Sequence, residues 1–329
     1  MRFALEESHT DFAASIGALL GKADVPSVIR AWSDGDTGPG LKLWQRLAET
    51  GVNGLLIAEE DGGLGADAID LVVAVEQLGR HGVPGPIAET LAVAPTLLAA
   101  VAPDRLAAIA DGALATIAAP PATPFAVDAD IADTVLRVDA DSDAANSGAT
   151  VSTGTAGGQL TSVDRARHLF EVSAAENLGT IDATTVAAAH DMGALATAAQ
   201  LQGLGRAMLD STVEYAAQRR QFGRAIGSQQ AVKHQLSEVA VAVEMAAPLL
   251  HAAAMAVRDG SPTARRDVSA AKVACGDAAY LASRVALQLH GAIGYTQEHD
   301  LSLLLTKTRA LVTAWGTPTV HRGRIMEAL

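Results

Sequence analysis

The chain has one cysteine, Cys275, in 329 residues. A disulfide needs two thiols, so no internal bridge can form, and a cysteine-based metal cluster is excluded with it. No metal site is expected, and that cysteine usage fits the reducing cytosol. Aromatic residues are also scarce, at 3%. The core must be built mostly from Ala, Leu and Val, small side chains that let helices approach closely. There is no lysine- or arginine-rich run, and the formal net charge is -13. An acidic surface repels phosphate backbones, which argues against a nucleic-acid partner. It does not exclude a local basic cleft for a nucleotide. Acids interrupt the segment Met1 to Glu7 before any apolar run develops, so a signal peptide is not expected there. No uninterrupted apolar segment has the length of a bilayer span, and no membrane partner is expected.

What is present is apolar residue in quantity. Hydrophobic residues make up 49% of the chain and charged residues 19%. That balance fits a soluble globular protein with extensive helix packing, long enough for two or three subdomains. Residues 1–115 read as a helical domain. Leu43 and Leu47 lie four apart on one face of an amphipathic segment, and Gly51 is placed to end it. Glu59 to Gly65 carries three glycines in four residues and marks a loop. Helix resumes from Asp67 to Gly79, breaks at Gly82-Val83-Pro84-Gly85-Pro86, and returns from about Ala88 to Ala100.

Residues 116–185 change character. Pro120, Pro121 and Pro124 open the segment, and β-like pieces follow at 134–138 and 168–172, separated by Ser, Thr, Gly and Asp. The expectation is a reduced β domain without a long strand. Residues 186–329 are again helical, with long helices near 187–217, 228–258, 263–290 and 299–311. Ser228 is a candidate N-cap, and Pro248 should kink the second helix or open it locally. Four long helices with short connections suggest an antiparallel bundle. The fold class is therefore mainly α with a small β domain between two helical ones.

Three segments carry the chemistry. Gln218-Arg219-Arg220-Gln221-Phe222-Gly223 places a guanidinium, with its fixed fork of donors, at a helix end. Gln288-Leu289-His290-Gly291-Ala292-Ile293-Gly294-Tyr295 offers an amide and two glycines that permit close backbone approach. Thr313-Ala314-Trp315-Gly316-Thr317 lies near the end. Each has a plainer reading. The two arginines could be a solvated helix end, the glycines a helix corner, Phe222 core, and His290 a packing residue.

The three segments in this order, with Leu43 to Gly51 and Glu59 to Gly65 upstream, resemble the acyl-CoA dehydrogenase family. The resemblance covers both helical domains. It implies an FAD-dependent enzyme that removes hydrogens from Cα and Cβ of an acyl-CoA thioester and passes electrons to an electron-transfer flavoprotein. It implies dimers of dimers in which a neighbouring subunit's bundle touches the adenosine and pyrophosphate of each FAD. Carried over residue by residue, the cofactor contacts would be Arg219, Phe222, Gln288, Leu289, Gly291 and Thr317.

The departures are specific. The family commonly has Tyr-Glu-Gly-Thr where this chain has Ala314-Trp315-Gly316-Thr317, and that Glu is the base. An indole N–H only donates, so Trp315 cannot take a proton from carbon. Other members place the base early in the first bundle helix, a register that falls at about Gly193. Asp191 is the nearest carboxylate, on a different helix face, where a helix-start acid would ordinarily face solvent or the dipole. The family's Thr-Glu-Pro and Trp-Ile-Thr segments, which hold the flavin ring, are missing from the β domain. No catalytic residue is expected here. The reading that absorbs both what is kept and what is lost is a non-catalytic subunit of a heteromeric acyl-CoA dehydrogenase, in an α2β2 assembly whose partner carries the Glu. Its acyl group would be steroid-like by similarity to bacterial heteromeric enzymes. Two alternatives stand beside it: a self-sufficient homotetramer using an unusual base such as Asp191, and a flavin-free scaffold.

Overall fold

The structure, a computed structural model, describes residues 5–140 and 148–329. Six helices come first: α1 Glu7–Gly21, α2 Val25–Ser33, α3 Gly38–Ala48, α4 Ala68–His81, α5 Ala94–Val101 and α6 Leu106–Ala110. A π-helical turn, Glu89–Val93, runs directly into α5. Their shared core holds Trp32, Trp44, Leu47, Leu71 and Leu78, all essentially without solvent contact. Helix α3 ends at Ala48, and Gly51 follows with φ 85°, its N–H donating to the Ala48 carbonyl. The glycine thus ends the turn after the helix rather than capping it.

The middle of the chain forms a five-stranded sheet: β1 Ala115–Ala118, β2 Ala126–Val127, β3 Thr134–Ala140, β4 Ala149–Leu160 and β5 Leu169–Ile181, in the order β1-β3-β4-β5-β2. β1 pairs parallel with β3, and the other pairings are antiparallel. The expectation of no long strand is corrected here, because β4 has 12 residues and β5 has 13. Most of β5 lies outside the core, so it lacks the apolar alternation that betrays a strand in sequence. Register shifts between Val151 and Ser152 and between Ala156 and Gln159 break the period further.

The C-terminal helices are α7 Ala183–Gln218, α8 Gln230–Arg258, α9 Ala264–His290, α10 Leu301–Thr313 and α11 Pro318–Glu327. Helices α7, α8 and α9 pack on one another, and α10 lies against α7 and α9. Helix α4 crosses α7 where Gly79 and Gly203 face each other's backbones; a methyl at either would overlap main-chain atoms. One expectation about α8 needs correction. Gln229 is its N-cap residue, while the Ser228 hydroxyl donates back to the Ala225 carbonyl. Pro248 lies inside the helix, which extends on both sides of it. By length and composition α8 is apolar enough to cross a membrane, but Val239, Val243, Ala246 and Leu250 bury one stripe of it in the bundle. Helix α11 lies beyond the four long helices expected, and Thr317 followed by Pro318 is its N-terminal signature.

Candidate functional site

The first motif is a solvent-facing hairpin at the end of α7. Arg219 leaves the helix with extended backbone, its N–H still bonded to the Tyr215 carbonyl. Strands β6 Arg220–Gln221 and β7 Arg224–Ala225 then pair antiparallel around Phe222 and Gly223, both at positive φ. Two central residues in the left-handed region are the signature of a type I′ turn. Glycine suits its place, whereas Phe222, at φ 52°, does not. The Phe222 ring is 92% exposed, so it is not core. Arg219 is exposed and has no ion-pair partner among the described residues.

The second motif closes α9 at the same end of the bundle. His290 is buried and stacks on Tyr215, ring centroids 4.1 Å apart, one helical turn before Arg219. Its Nδ1 lies 2.8 Å from the Ala286 carbonyl. Burial pushes its pKa down, the carbonyl contact opposes this, and nearby His299 adds to the lowering. His290 is therefore packing, and it holds the two motifs together. Gln288 and Gly291 are exposed, and Leu289 is half-buried. Gly291 has φ 67° with open space where a Cβ would be, which fits close backbone approach by a ligand. Gly294 does not share that role. It is buried, and a methyl there would meet the His290 Cβ at 3.0 Å.

The third segment lies in the interior, between α10 and α11. Trp315 is 4% exposed and adopts φ 53°, a strained conformation for a bulky residue. Three contacts hold it. Its Nε1 donates to Glu89 Oε1 at 2.9 Å. Its carbonyl lies 3.0 Å from His321 Nε2. Its indole covers Gly193, where any Cβ would overlap the ring carbons. The two expected base registers are thus one packed pair: the tryptophan fills the first and leaves room only for glycine at the second.

His321 fixes that turn. With Nε2 donating to the Trp315 carbonyl, Nδ1 is left to accept from the Ser269 hydroxyl at 3.2 Å, which is the neutral tautomer. Burial, the hydrogen bond to Trp315 opposing it, and the neighbouring Lys272 and Arg324 charges leave the imidazole pKa at about 4. Buried Lys272 donates to the Leu311 and Val312 carbonyls at the end of α10, and burial lowers its pKa to about 7. The Thr317 hydroxyl accepts from the Val320 N–H and caps α11 at an exposed position.

Asp191 is not the solvent-facing acid expected of a helix start. Its carboxylate pairs with Arg324 of α11 in a largely buried contact, with His190 nearby. The Arg324 guanidinium occupies this carboxylate and ties it to α11. Glu89 escaped sequence reading. The clue was an acid inside the apolar run from Ile87 to Val101. It is 4% exposed and faces a small polar space shared with Lys307, Gln200 and Arg167. No cluster of His, Cys, Asp or Glu among the described residues could hold a metal ion.

On the opposite side of Trp315 lies a cavity of about 210 Å³ between α5, α7 and the sheet. Its walls include Leu97, Ile117, Pro121, Val138 and Ala189. Such walls supply few donors for the carbonyl and nitrogen edge of a flavin ring. The exposed end of the bundle, by contrast, presents Arg219, Gln288 and the open Gly291 backbone, donors suited to pyrophosphate and ribose oxygens. The residues present fit the nucleotide end of an FAD, and not its ring.

Comparison with known proteins recognises both helical domains. Residues 184–329 match the acyl-CoA dehydrogenase C-terminal domain, and residues 6–103 match the N-terminal domain. The chain is 34% identical to the acyl-CoA dehydrogenase IpdE2 of Mycobacterium tuberculosis, over 88% of this chain and 87% of that one. It is 31% identical to IpdE2 of Mycolicibacterium smegmatis, over 98% of each chain. Among solved structures, butyryl-CoA dehydrogenase from Megasphaera elsdenii superposes with a TM-score of 0.86 at 20% identity, covering 100% of this chain and 99% of that one. The ChsE4-ChsE5 complex from Mycobacterium tuberculosis gives 0.82 at 20% identity, covering 99% and 98%. The fold is that of an acyl-CoA dehydrogenase, and the chain belongs to the acyl-CoA dehydrogenase family.

Proposed function

We propose that this chain is the non-catalytic subunit of a heteromeric, FAD-dependent acyl-CoA dehydrogenase, assembled as α2β2 with a partner that carries the catalytic Glu. One observation carries the reading: Trp315 fills the base position and its indole leaves only glycine at the alternative register. Bound FAD would accept hydride from Cβ of the thioester. Arg219 would hold its pyrophosphate, Gln288 and the Gly291 backbone its adenosine end, with Phe222, Leu289 and Thr317 as flanking contacts. An exposed hairpin beside an Arg219 with no ion-pair partner among the described residues supports a surface that completes another chain's site. The complex of ChsE4 with ChsE5 and the steroid acyl-CoA dehydrogenase Tcur3481-Tcur3483, which also shares the fold, support heteromery and a steroid-type acyl-CoA. Electrons would leave for an electron-transfer flavoprotein, in the cytoplasm. The homotetramer using Asp191 is disfavoured by the Arg324 pair.

Arg219→Ala tests the assigned contact. In the assembled complex it should lower flavin occupancy without altering the thermal midpoint of the isolated chain, since Arg219 makes no internal ion pair among the described residues. Unchanged occupancy would remove Arg219 from the site.

A further inference from the structure

One buried carboxylate ties the sheet to helix α2. Asp128 directly follows β2 and His168 directly precedes β5, so the pairing of those strands sets the two residues side by side. The Asp128 N–H donates to the His168 carbonyl at 2.7 Å. Asp128 has no solvent exposure and adopts φ 52°. Three donors converge on its Oδ1. They are the Trp32 indole N–H of α2 at 3.1 Å, the His168 backbone N–H at 3.4 Å, and the His168 ring through Nδ1 at 3.0 Å. Its Oδ2 has no hydrogen-bond partner among the described residues. Trp32 is itself held, because its ring packs so closely on Gly40 of α3 that a Cβ there would overlap it.

His168 is the member of this set that solvent reaches. It borders a surface pocket of about 360 Å³ with Ser33, Gln159 and Arg167. The charged groups around it come from several elements. Asp130 and Asp164 favour the charged imidazole, as Asp128 does. Arg167 and the buried Lys307 of α10 act on Asp164, and Lys307 donates to the Val83 carbonyl. Asp34, just after α2, is taken by Arg165 at 3.0 Å. The hydrogen bond to Asp128 holds the imidazole above its ordinary pKa of 6.5, with burial opposing it. We propose that Trp32, Asp128 and His168 form a proton-operated latch that seats the sheet on helix α2. A charged imidazole neutralises the buried carboxylate while the indole ties it to α2. A neutral imidazole leaves that carboxylate buried without the countercharge, and with Oδ2 unpartnered, which is a costly state. The strand ends then part from α2 more often. Because the folded pKa lies above the unfolded one, the contribution of the latch is fully present below pH 6.5. It is lost as pH rises through the folded value. The latch does not rest on the subunit role proposed above.

Trp32 reports the latch. The full chain labelled with ¹⁵N-tryptophan gives three indole N–H signals, one for each tryptophan, and Trp44→Phe and Trp315→Phe assign the third to Trp32. The Trp32 signal should move along a single titration curve above pH 6.5, with the same midpoint as the His168 ring protons. In His168→Asn the side-chain amide can still donate to Oδ1 but carries no charge, and the Trp32 signal should stay flat over the same range. A Trp32 signal that does not titrate with His168, or that titrates equally in His168→Asn, overturns the latch. Amide hydrogen exchange gives a readout that needs no variant. Relative to helix α4, residues 126–128 and 168–170 should lose protection above pH 6.5. The loss should reach up to about tenfold per pH unit, the slope of one proton. Protection that stays constant relative to α4 across that range overturns the latch as well.

Discussion

Trp315 and Gly193 form one packed pair at the two registers where the family's base is expected. The indole occupies space that a base would need, and glycine is the residue that tolerates it. Gly193→Ala should destabilise the chain by about 1–3 kcal/mol through overpacking. The same substitution in a Trp315→Leu background should cost much less, and the double-mutant cycle measured by chemical denaturation gives the coupling. Equal costs in both backgrounds would mean that the two side chains do not compete. His321 supplies a second test. Its folded pKa, near 4, lies below the ordinary value of 6.5, so the unfolded chain binds the extra proton. The stability this group contributes is present above pH 6.5 and is lost as pH falls toward 4. His321→Gln should flatten that acid limb in urea midpoints, and an unchanged slope would show that another group sets it. Much of this was legible in sequence, because Trp315 and Gly193 stand at registers where a carboxylate is expected. Their mutual contact was not legible, since 122 positions separate them. The Asp191–Arg324 and Trp315–Glu89 pairs join distant segments for the same reason.

Among the elements, the β6–β7 hairpin is the one whose local chemistry conflicts with stability. A type I′ turn favours Asn or Gly at its first central position, yet Phe222 stands there with its ring in solvent. A conflict between local preference and structure is where a functional contact is expected. Phe222→Asn should leave the thermal midpoint of the isolated chain unchanged or raised, while weakening assembly with the partner in analytical ultracentrifugation. A lowered midpoint with unchanged assembly would make Phe222 a structural residue. The helical elements were readable because their apolar spacing persists over many turns. The sheet is less legible in sequence because β4 and β5 are rich in Ser, Thr, Gly and Ala and expose much of their length. The hairpin motif was found by its residues, but its projection into solvent depends on where α7 ends.

At the scale of the whole molecule, the chain joins the two helical domains of an acyl-CoA dehydrogenase through a five-stranded sheet. Arg219, Gln288 and Gly291 lie at the exposed end of the bundle, and Trp315 lies in the interior. A division of labour between unlike subunits accounts for both. The measurement that tests it most directly is flavin stoichiometry and turnover for the chain purified alone and co-purified with acyl-CoA dehydrogenase paralogues of its own genome. The expected result is no flavin and no turnover in the lone chain, with one FAD for each pair of unlike chains in an active complex. Stoichiometric FAD and dehydrogenation of an acyl-CoA by the lone chain would contradict it.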